Sequence, residues 1–391
     1  MAKLTRRQLL LTGLGVGVVV SGIDELRRRR ALHAEQATLT DLLLGNQEYV
    51  DAAVNTAIAG DTEATAATNR ILANLKLKPP SEPYNREVSK TLIQCSRLAT
   101  EQYLTGKFDL SFDGSIQALP SYDDRLQNYE QVAVIKGPEE IGATNTVAVS
   151  PELTVGDMAI ALDDPLHESA NQVKDLVRQL AGQTVAIQWS FPVYWGFVLT
   201  SPRHHILVLR GTQRTYEWLQ TVRAQQVTKR KVSEFDFAGA IHHGFANIYA
   251  KLSQATLAAL ESLTPDRPLF VSGHSLGAPL STLAALDIAQ RVPALADQLR
   301  LYTYAGPRVG NPEFAEAHSQ LIPNSYRIAN LADLVPLLPP VKISDSVYVH
   351  LGEPWGFTAS TGDIGSQHYV SAYRAAIDAE QEKVVGEADA T

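Results

Sequence analysis

The pentapeptide Gly273-His274-Ser275-Leu276-Gly277 constrains this chain more than any other feature, because of what flanks it. Before it stands a short apolar run, Pro268-Leu269-Phe270-Val271-Ser272. After it comes a long apolar-periodic stretch, Leu276 to Val292. A strand running through a tight turn into a helix brings two backbones almost into contact, and glycines at the first and last positions relieve that crowding. The serine between them is held on a strained corner with its hydroxyl exposed. Chance alone supplies roughly a tenth of such a match in a chain of this length, so the flanks rather than the pattern carry the argument.

The rest of the C-terminal half agrees with a strand–helix alternation. Val193 to Leu199 and His205-Ile206-Leu207-Val208-Leu209 read as strands joined by the turn Ser201-Pro202-Arg203. Leu299 to Ala305 is another strand, stopped by Gly306-Pro307, and Asn311-Pro312 is an N-cap and first-turn pair opening a helix. Tyr326-Arg327-Ile328-Ala329 is a further strand. The implied fold class is α/β, with a mostly parallel central sheet flanked by helices. Upstream, residues 36–78 read as one or two helices ending before Pro79-Pro80, and Asn85 to about Leu104 as an amphipathic helix. Residues 105–180 have weak periodicity and read as a loop-rich insertion, with a helix near His167 to Leu180.

The N-terminus is of a different kind. Thr5-Arg6-Arg7-Gln8-Leu9-Leu10 precedes an apolar run from Leu9 to Ile23. That run falls short of the roughly 20 residues that span a bilayer and suits a signal peptide. Residues 1–34 therefore read as a twin-arginine-type signal for export to the periplasm or medium. A retained membrane anchor is the alternative, since Arg27 to Arg30 directly after the run resist translocation.

The composition, 45% hydrophobic and 19% charged over 391 residues, is that of a globular protein. A net charge of −8 offers no general basis for nucleic-acid binding. A single cysteine, Cys95, allows no internal disulfide and reads as a core residue. No metal or cofactor is implied, and the oligomeric state is not legible.

A serine hydroxyl becomes a nucleophile only when a base takes its proton and an acid orients the base. On this type of turn the chain order is Ser, then Asp or Glu, then His. Asp333, just past a strand end, is the best-placed acid; Asp345 and Asp363 are rivals in polar loops. His368, at a loop-to-helix junction, is the better-placed base, and His350, in a strand-like setting, its rival. The Leu276 N–H and the Thr212 N–H and hydroxyl, at the end of Val208-Leu209-Arg210-Gly211-Thr212, are candidates for an oxyanion hole. Residues 215–222, with Tyr216, Trp218 and Leu219, read as a short amphipathic lid or as core packing. Lys229-Arg230-Lys231 reads as a hairpin tip.

These blocks resemble the class 3 lipases, the fungal triacylglycerol lipase-like branch of the α/β-hydrolases. Beside Arg210-Gly211-Thr212 and the serine motif, the resemblance is carried by Ile241-His242-His243-Gly244-Phe245 and by Tyr304-Ala305-Gly306-Pro307-Arg308-Val309-Gly310-Asn311. It continues in Arg327-Ile328-x-Asn330-x-x-Asp333-x-Val335-Pro336, Tyr348-x-His350-x-Gly352 and His368-x-x-x-x-Tyr373. It implies a triad of Ser275, Asp333 and His368, oxyanion roles for Thr212 and Leu276, and a lid at 215–222. It further implies a lipid or acyl-ester substrate, met at a membrane or lipid surface. The domain organisation it suggests is a helical N-terminal extension at 35–80, a catalytic domain at 81–378 carrying the 105–180 insertion, and a polar tail at 379–391. The chain departs from the family at Pro279, in the first turn of the nucleophile helix, and at Gln367, where an acidic neighbour usually precedes the base.

Overall fold

The computed structural model describes residues 70–109, 111–148, 184–211, 226–228, 236–343, 345–359 and 366–379. Eleven strands are defined among them: β1 (Glu130–Ala148), β2 (Thr184–Thr200), β3 (His205–Leu209), β4 (Gln226–Val227), β5 (Ile241–His242) and β6 (Leu269–His274). These are followed by β7 (Leu299–Tyr304), β8 (Ser325–Asn330), β9 (Lys342–Ile343), β10 (Ser346–Val347) and β11 (Glu353–Phe357). The helices are α1 (Arg86–Phe108), α2 (His243–Ala250), α3 (Ser253–Ala258), α4 (Gly277–Arg291), α5 (Pro293–Ala296), α6 (Pro312–Leu321) and α7 (Val370–Ala379).

Seven strands form one sheet in the order β1-β2-β3-β6-β7-β8-β11. The β2–β3 pair is antiparallel, and every pair from β3 to β11 is parallel. The central strands read as unbroken apolar runs because both faces are covered: all five residues of β3 and all six of β6 are buried. On one face α1, capped by the Asn85 side chain accepting from Val88 N–H, lays Leu92, Cys95, Leu98 and Ala99 on the sheet. There they join Phe197, Val208, Phe270, Tyr302, Tyr304, Tyr326 and Ile328, with Tyr373 and Ile377 of α7. Cys95 is fully buried, and burial pushes its thiol well up, as expected of a core residue. Because strand side chains alternate, Val271, Thr303 and Arg327 face the other way, toward α4. That helix is buried from Gly277 to Ile288.

Most strand and helix expectations of the C-terminal half are met within a residue or two, but the strand read as Val193 to Leu199 begins earlier, at Thr184. The stretch read as loop-rich needs a correction, since it contains the 19-residue β1. Gly137-Pro138 and Glu139-Glu140-Ile141-Gly142 interrupt any alternation there, and β1 is an edge strand, where proline and polar residues are tolerated. Residues 137–193 form a compact unit of their own. Tyr348 to Leu351 is not a strand; Val349 makes one isolated bridge, to Gly310. The export signal, most of the N-terminal extension, the helix near 167–180, the 229–231 tip and the C-terminal tail lie outside the described residues.

Candidate active site

The turn after β6 is set by crowding. A Cβ on Gly277 would lie 2.2 Å from the Leu209 carbonyl oxygen, and one on Gly273 would lie 2.2 Å from the Gly277 oxygen. Neither position admits a side chain, because both obstacles are backbone. Between them Ser275 has φ 57°, a left-handed conformation costly for a non-glycine residue. The surroundings enforce it: Ser275 N–H donates to the Tyr304 carbonyl at 2.9 Å, and Ala278 N–H to the Ser275 carbonyl at 3.0 Å. Leu276 stands at the N-terminal end of α4, where helix N–H groups lack intrahelical partners and the dipole favours negative charge. Gly211 closes the corner from the side, since a Cβ there would lie 2.9 Å from His274 O and 3.4 Å from Ser275 Cβ. The end of β3 thus brings the chain to the serine, although Thr212 itself lies outside the described residues, as do Tyr216, Trp218 and Leu219.

Arg210, the residue before Gly211, is almost wholly buried. Its guanidinium lies between the Tyr103 ring, 3.7 Å away, and the Trp195 ring, 4.0 Å away. Its Nε donates to the Tyr194 carbonyl and one terminal nitrogen to the Gly211 carbonyl. The corner glycine is therefore held by a side chain that the sequence marked only as part of a block.

The structure brings Ser275, Asp333 and His368 together from three separate elements. His368 ends a short 3-10 turn (Ser366–His368) leading into α7, and Asp333 lies in the turn after β8. The imidazole Nδ1–H donates to Asp333 Oδ2 at 2.8 Å, and Nε2 lies 2.8 Å from Ser275 Oγ. With the proton on Nδ1, Nε2 presents a lone pair to the serine hydroxyl. All three side chains are buried.

Buried polar groups of this kind need partners. Asp333 Oδ1 accepts from the Val335 N–H, and Oδ2 also accepts from the Tyr373 hydroxyl at 2.7 Å. Tyr373 OH in turn accepts the Asn330 N–H at 2.9 Å. Asn330 Nδ2 donates to the carbonyls of Ala359 and Gln367, tying the base segment to the end of β8. Burial, reinforced by the Asp333 charge, pushes the Tyr373 phenol well above its ordinary pKa, keeping it a donor. His274 Nε2 donates to the His368 carbonyl at 2.8 Å, so the histidine beside the serine points away from it and supports the base. Burial and then the neighbouring His368 hold His274 far below the usual histidine range. The structural roles of Tyr373, Asn330 and His274 were invisible to local reading, since each acts across 29 residues or more of chain.

The rival base does not reach the serine. His350 Nε2 donates to the Pro336 carbonyl at 2.8 Å. Burial, with Arg327 and Arg308 nearby, pushes it well below the ordinary histidine value. Asp345 and Asp363 form no part of the described relay; Asp363 lies outside the described residues.

A mostly parallel sheet, a strand–serine–helix corner and a Ser–His–Asp relay in this chain order make up the α/β-hydrolase architecture. Residues 206–343 match the model of the family Lipase (class 3). The chain is 26% identical over 230 residues to secreted mono- and diacylglycerol lipase 1 of Fusarium solani, covering 57% of this chain and 66% of that protein. Against a lipase of Rhizomucor miehei it is 33% identical over 157 residues, covering 39% of this chain and 41% of the other. Against phospholipase A1-Igamma2, chloroplastic, of Arabidopsis thaliana it is 26% identical over 227 residues, covering 47% and 43%. The chain thus spans about two fifths to two thirds of the length of these relatives. The solved triacylglyceride lipase of Rhizomucor miehei aligns with a TM-score of 0.44 at 20% identity, over 71% of this chain and 82% of that one.

Proposed function

We propose that this protein is a serine-dependent carboxylic ester hydrolase acting on acylglycerol-type lipids. The observation that carries the reading is the pair of 2.8 Å contacts joining Ser275 through His368 to Asp333 at a strained strand–helix corner. His368 takes the Ser275 proton as the oxygen attacks the ester carbonyl, and the tetrahedral oxyanion forms beside the N-terminus of α4. In this reading the Leu276 N–H and Thr212 stabilise that charge. The imidazolium, steadied by Asp333, then protonates the leaving alcohol. Water, deprotonated by the same histidine, releases the acid from the acyl-enzyme.

The names of the relatives support an acyl-lipid substrate, mono- and diacylglycerol in one case and phospholipid in another. We therefore place a galactolipase or phospholipase of the same mechanism as the alternative, to be separated by a headgroup and chain-length series. The segment with Tyr216, Trp218 and Leu219 fits a lid over the site, met at a membrane or lipid surface. Export by the segment 1–34 accords with a relative named as secreted. The catalytic domain in this reading runs from 81 to 378.

The deciding test is Ser275→Ala in protein freed of residues 1–34. It should lose at least ~10³-fold in kcat on nitrophenyl acyl esters, and a fluorophosphonate should label the unaltered serine. An unchanged rate would sink the assignment. Absence of labelling would point instead to a non-catalytic lipid-binding protein on this fold.

A further inference from the structure

Arg210 extends β3 by one residue, its N–H donating to the Trp195 carbonyl at 2.9 Å. Among the described residues its side chain is one of the largest to be fully buried. The guanidinium lies between the Tyr103 ring of α1 and the Trp195 ring of β2, and Nε is anchored on the Tyr194 carbonyl at 2.9 Å. Arginine carries its donors in a rigid, permanently charged fork, so holding Nε and the two faces also aims the terminal nitrogens. One of these donates to the Gly211 carbonyl at 2.8 Å.

That carbonyl belongs to the peptide whose N–H is that of Thr212, the candidate oxyanion donor. In a planar trans peptide the C=O and N–H point in opposite directions, so whatever holds the one aims the other. A charge-assisted hydrogen bond on the carbonyl oxygen also polarises the amide, which strengthens its N–H as a donor. Gly211 itself stands at the serine corner. A Cβ there would lie 3.4 Å from Ser275 Cβ and 3.8 Å from the nitrogen of Leu276, the other candidate donor. Resting on the ester-hydrolase reading above, we propose that Arg210 is a positioning residue of the oxyanion hole. Clamped by Tyr103 and Trp195, its guanidinium aims and polarises the Gly211–Thr212 peptide toward the oxygen that becomes charged when Ser275 attacks. Arg210 acts through that peptide, so its effect belongs to the transition state and not to substrate binding.

The experiment compares Arg210→Met, Arg210→Lys and Tyr103→Leu with the unaltered protein. Sites are counted by end-point fluorophosphonate labelling, so that only folded sites enter kcat. On nitrophenyl acyl esters Arg210→Met should lose about 30-fold in kcat with KM changed less than about twofold, short of the roughly 10²–10³-fold that deleting an oxyanion donor costs. An alkyl trifluoromethyl ketone adds to Ser275 Oγ and carries the oxyanion, so its Ki should rise by the factor that kcat falls. Arg210→Lys keeps the charge without the fork, and Tyr103→Leu keeps the fork with one face freed. Both should show the same pairing of kcat with Ki at a smaller loss, about fivefold. A normal kcat per labelled site with fewer labelled sites would overturn the proposal, because Arg210 would then only brace the fold. So would a loss of kcat with the ketone Ki unchanged, or a change confined to KM. Failure of the hydrolase reading looks different: there the unaltered protein neither labels nor turns over. If Arg210→Met leaves too few sites to count, Arg210→Lys and Tyr103→Leu decide by the same ratio.

Discussion

Ser275 and His368 meet at 2.8 Å, yet they arrive there by different physics. On the serine side the corner is fixed by exclusion. Gly273, Gly277 and Gly211 each pack against backbone that leaves no room for a Cβ, and a left-handed φ of 57° is enforced on Ser275. On the base side the chain is irregular, and the geometry comes from polar contacts: Asn330 to Gln367, Tyr373 to Asp333, and His274 to the His368 carbonyl. The lesson is that steric placement is written in consecutive residues, while hydrogen-bonded placement is written across the chain. The two halves should therefore fail in different ways, the first by loss of stability and the second by loss of rate.

The sharpest break on the base side is Asp333→Asn. The amide keeps the shape but turns the imidazole toward the wrong tautomer, so kcat should fall about 10⁴-fold. Thermal unfolding of the variant should shift little beside that loss. Similar percentage losses in activity and in folded protein would show that the segment is structural and not part of the relay.

The counterpart on the serine side is Gly277→Ala. Its new methyl would sit 2.2 Å from the Leu209 oxygen and 2.9 Å from the Arg210 carbonyl carbon, neither of which can swing aside. A cost of about 3 kcal/mol is expected, measured as a lowered midpoint in urea. Whatever fraction remains folded should react normally with a fluorophosphonate. Undiminished stability would mean that the corner relaxes, and that crowding does not set it.

How far each half was legible follows from the same distinction. Ser275 was readable because its requirements are local: an apolar run, two glycines and an apolar helix in sequence. Asp333 and His368 were reached by chain order and by their positions after a strand and before a helix. His350 met the same order and had to be weighed against His368, because nothing local shows that one ring faces Oγ and the other the Pro336 carbonyl. Tyr373 and Asn330 were visible as letters but not as struts, since their partners are set only when β8 and α7 dock. The strand β1 was missed for another reason. An edge strand with Pro138 and paired glutamates obeys neither the alternation of a half-buried strand nor the apolar run of a central one.

Acid should weaken the frame around the serine before it touches the covalent geometry. His318 is buried behind α4, its Nε2 donating to the Thr282 carbonyl, and burial lowers its pKa to about 4. His242, beside Phe245 of α2, is likewise lowered to about 4, by burial and then by His243. In the unfolded chain both titrate near 6.5, so between that pH and 4 the unfolded state binds more protons. Stability from these groups is complete above about pH 6.5 and is lost as pH falls toward 4, at up to ~1.4 kcal/mol per pH unit for each histidine. Urea midpoints between pH 7 and 4.5 should fall accordingly, and His318→Gln should remove about one histidine's share of the slope. A slope unchanged by that substitution would place the acid sensitivity elsewhere.

The smallest effect should come from the outermost strut of the base side. Tyr373→Phe deletes the hydroxyl that donates to Asp333 Oδ2 at 2.7 Å and accepts from Asn330 N–H at 2.9 Å. Asp333 keeps its bonds from Val335 N–H and His368 Nδ1–H, so the relay survives with one fewer tether. A hydrogen bond to a buried charged group contributes about 1.5–3 kcal/mol, but only the part felt by the acid's orientation should appear in the rate. We expect a fall in kcat of about tenfold, equivalent to about 1.4 kcal/mol, with KM unchanged because the hydroxyl faces the carboxylate. A change confined to KM would contradict its role as a tether of Asp333. A loss as large as that of Asp333→Asn would mean that the three bonds to the carboxylate act as one unit, and that the base side is as rigid as the serine corner.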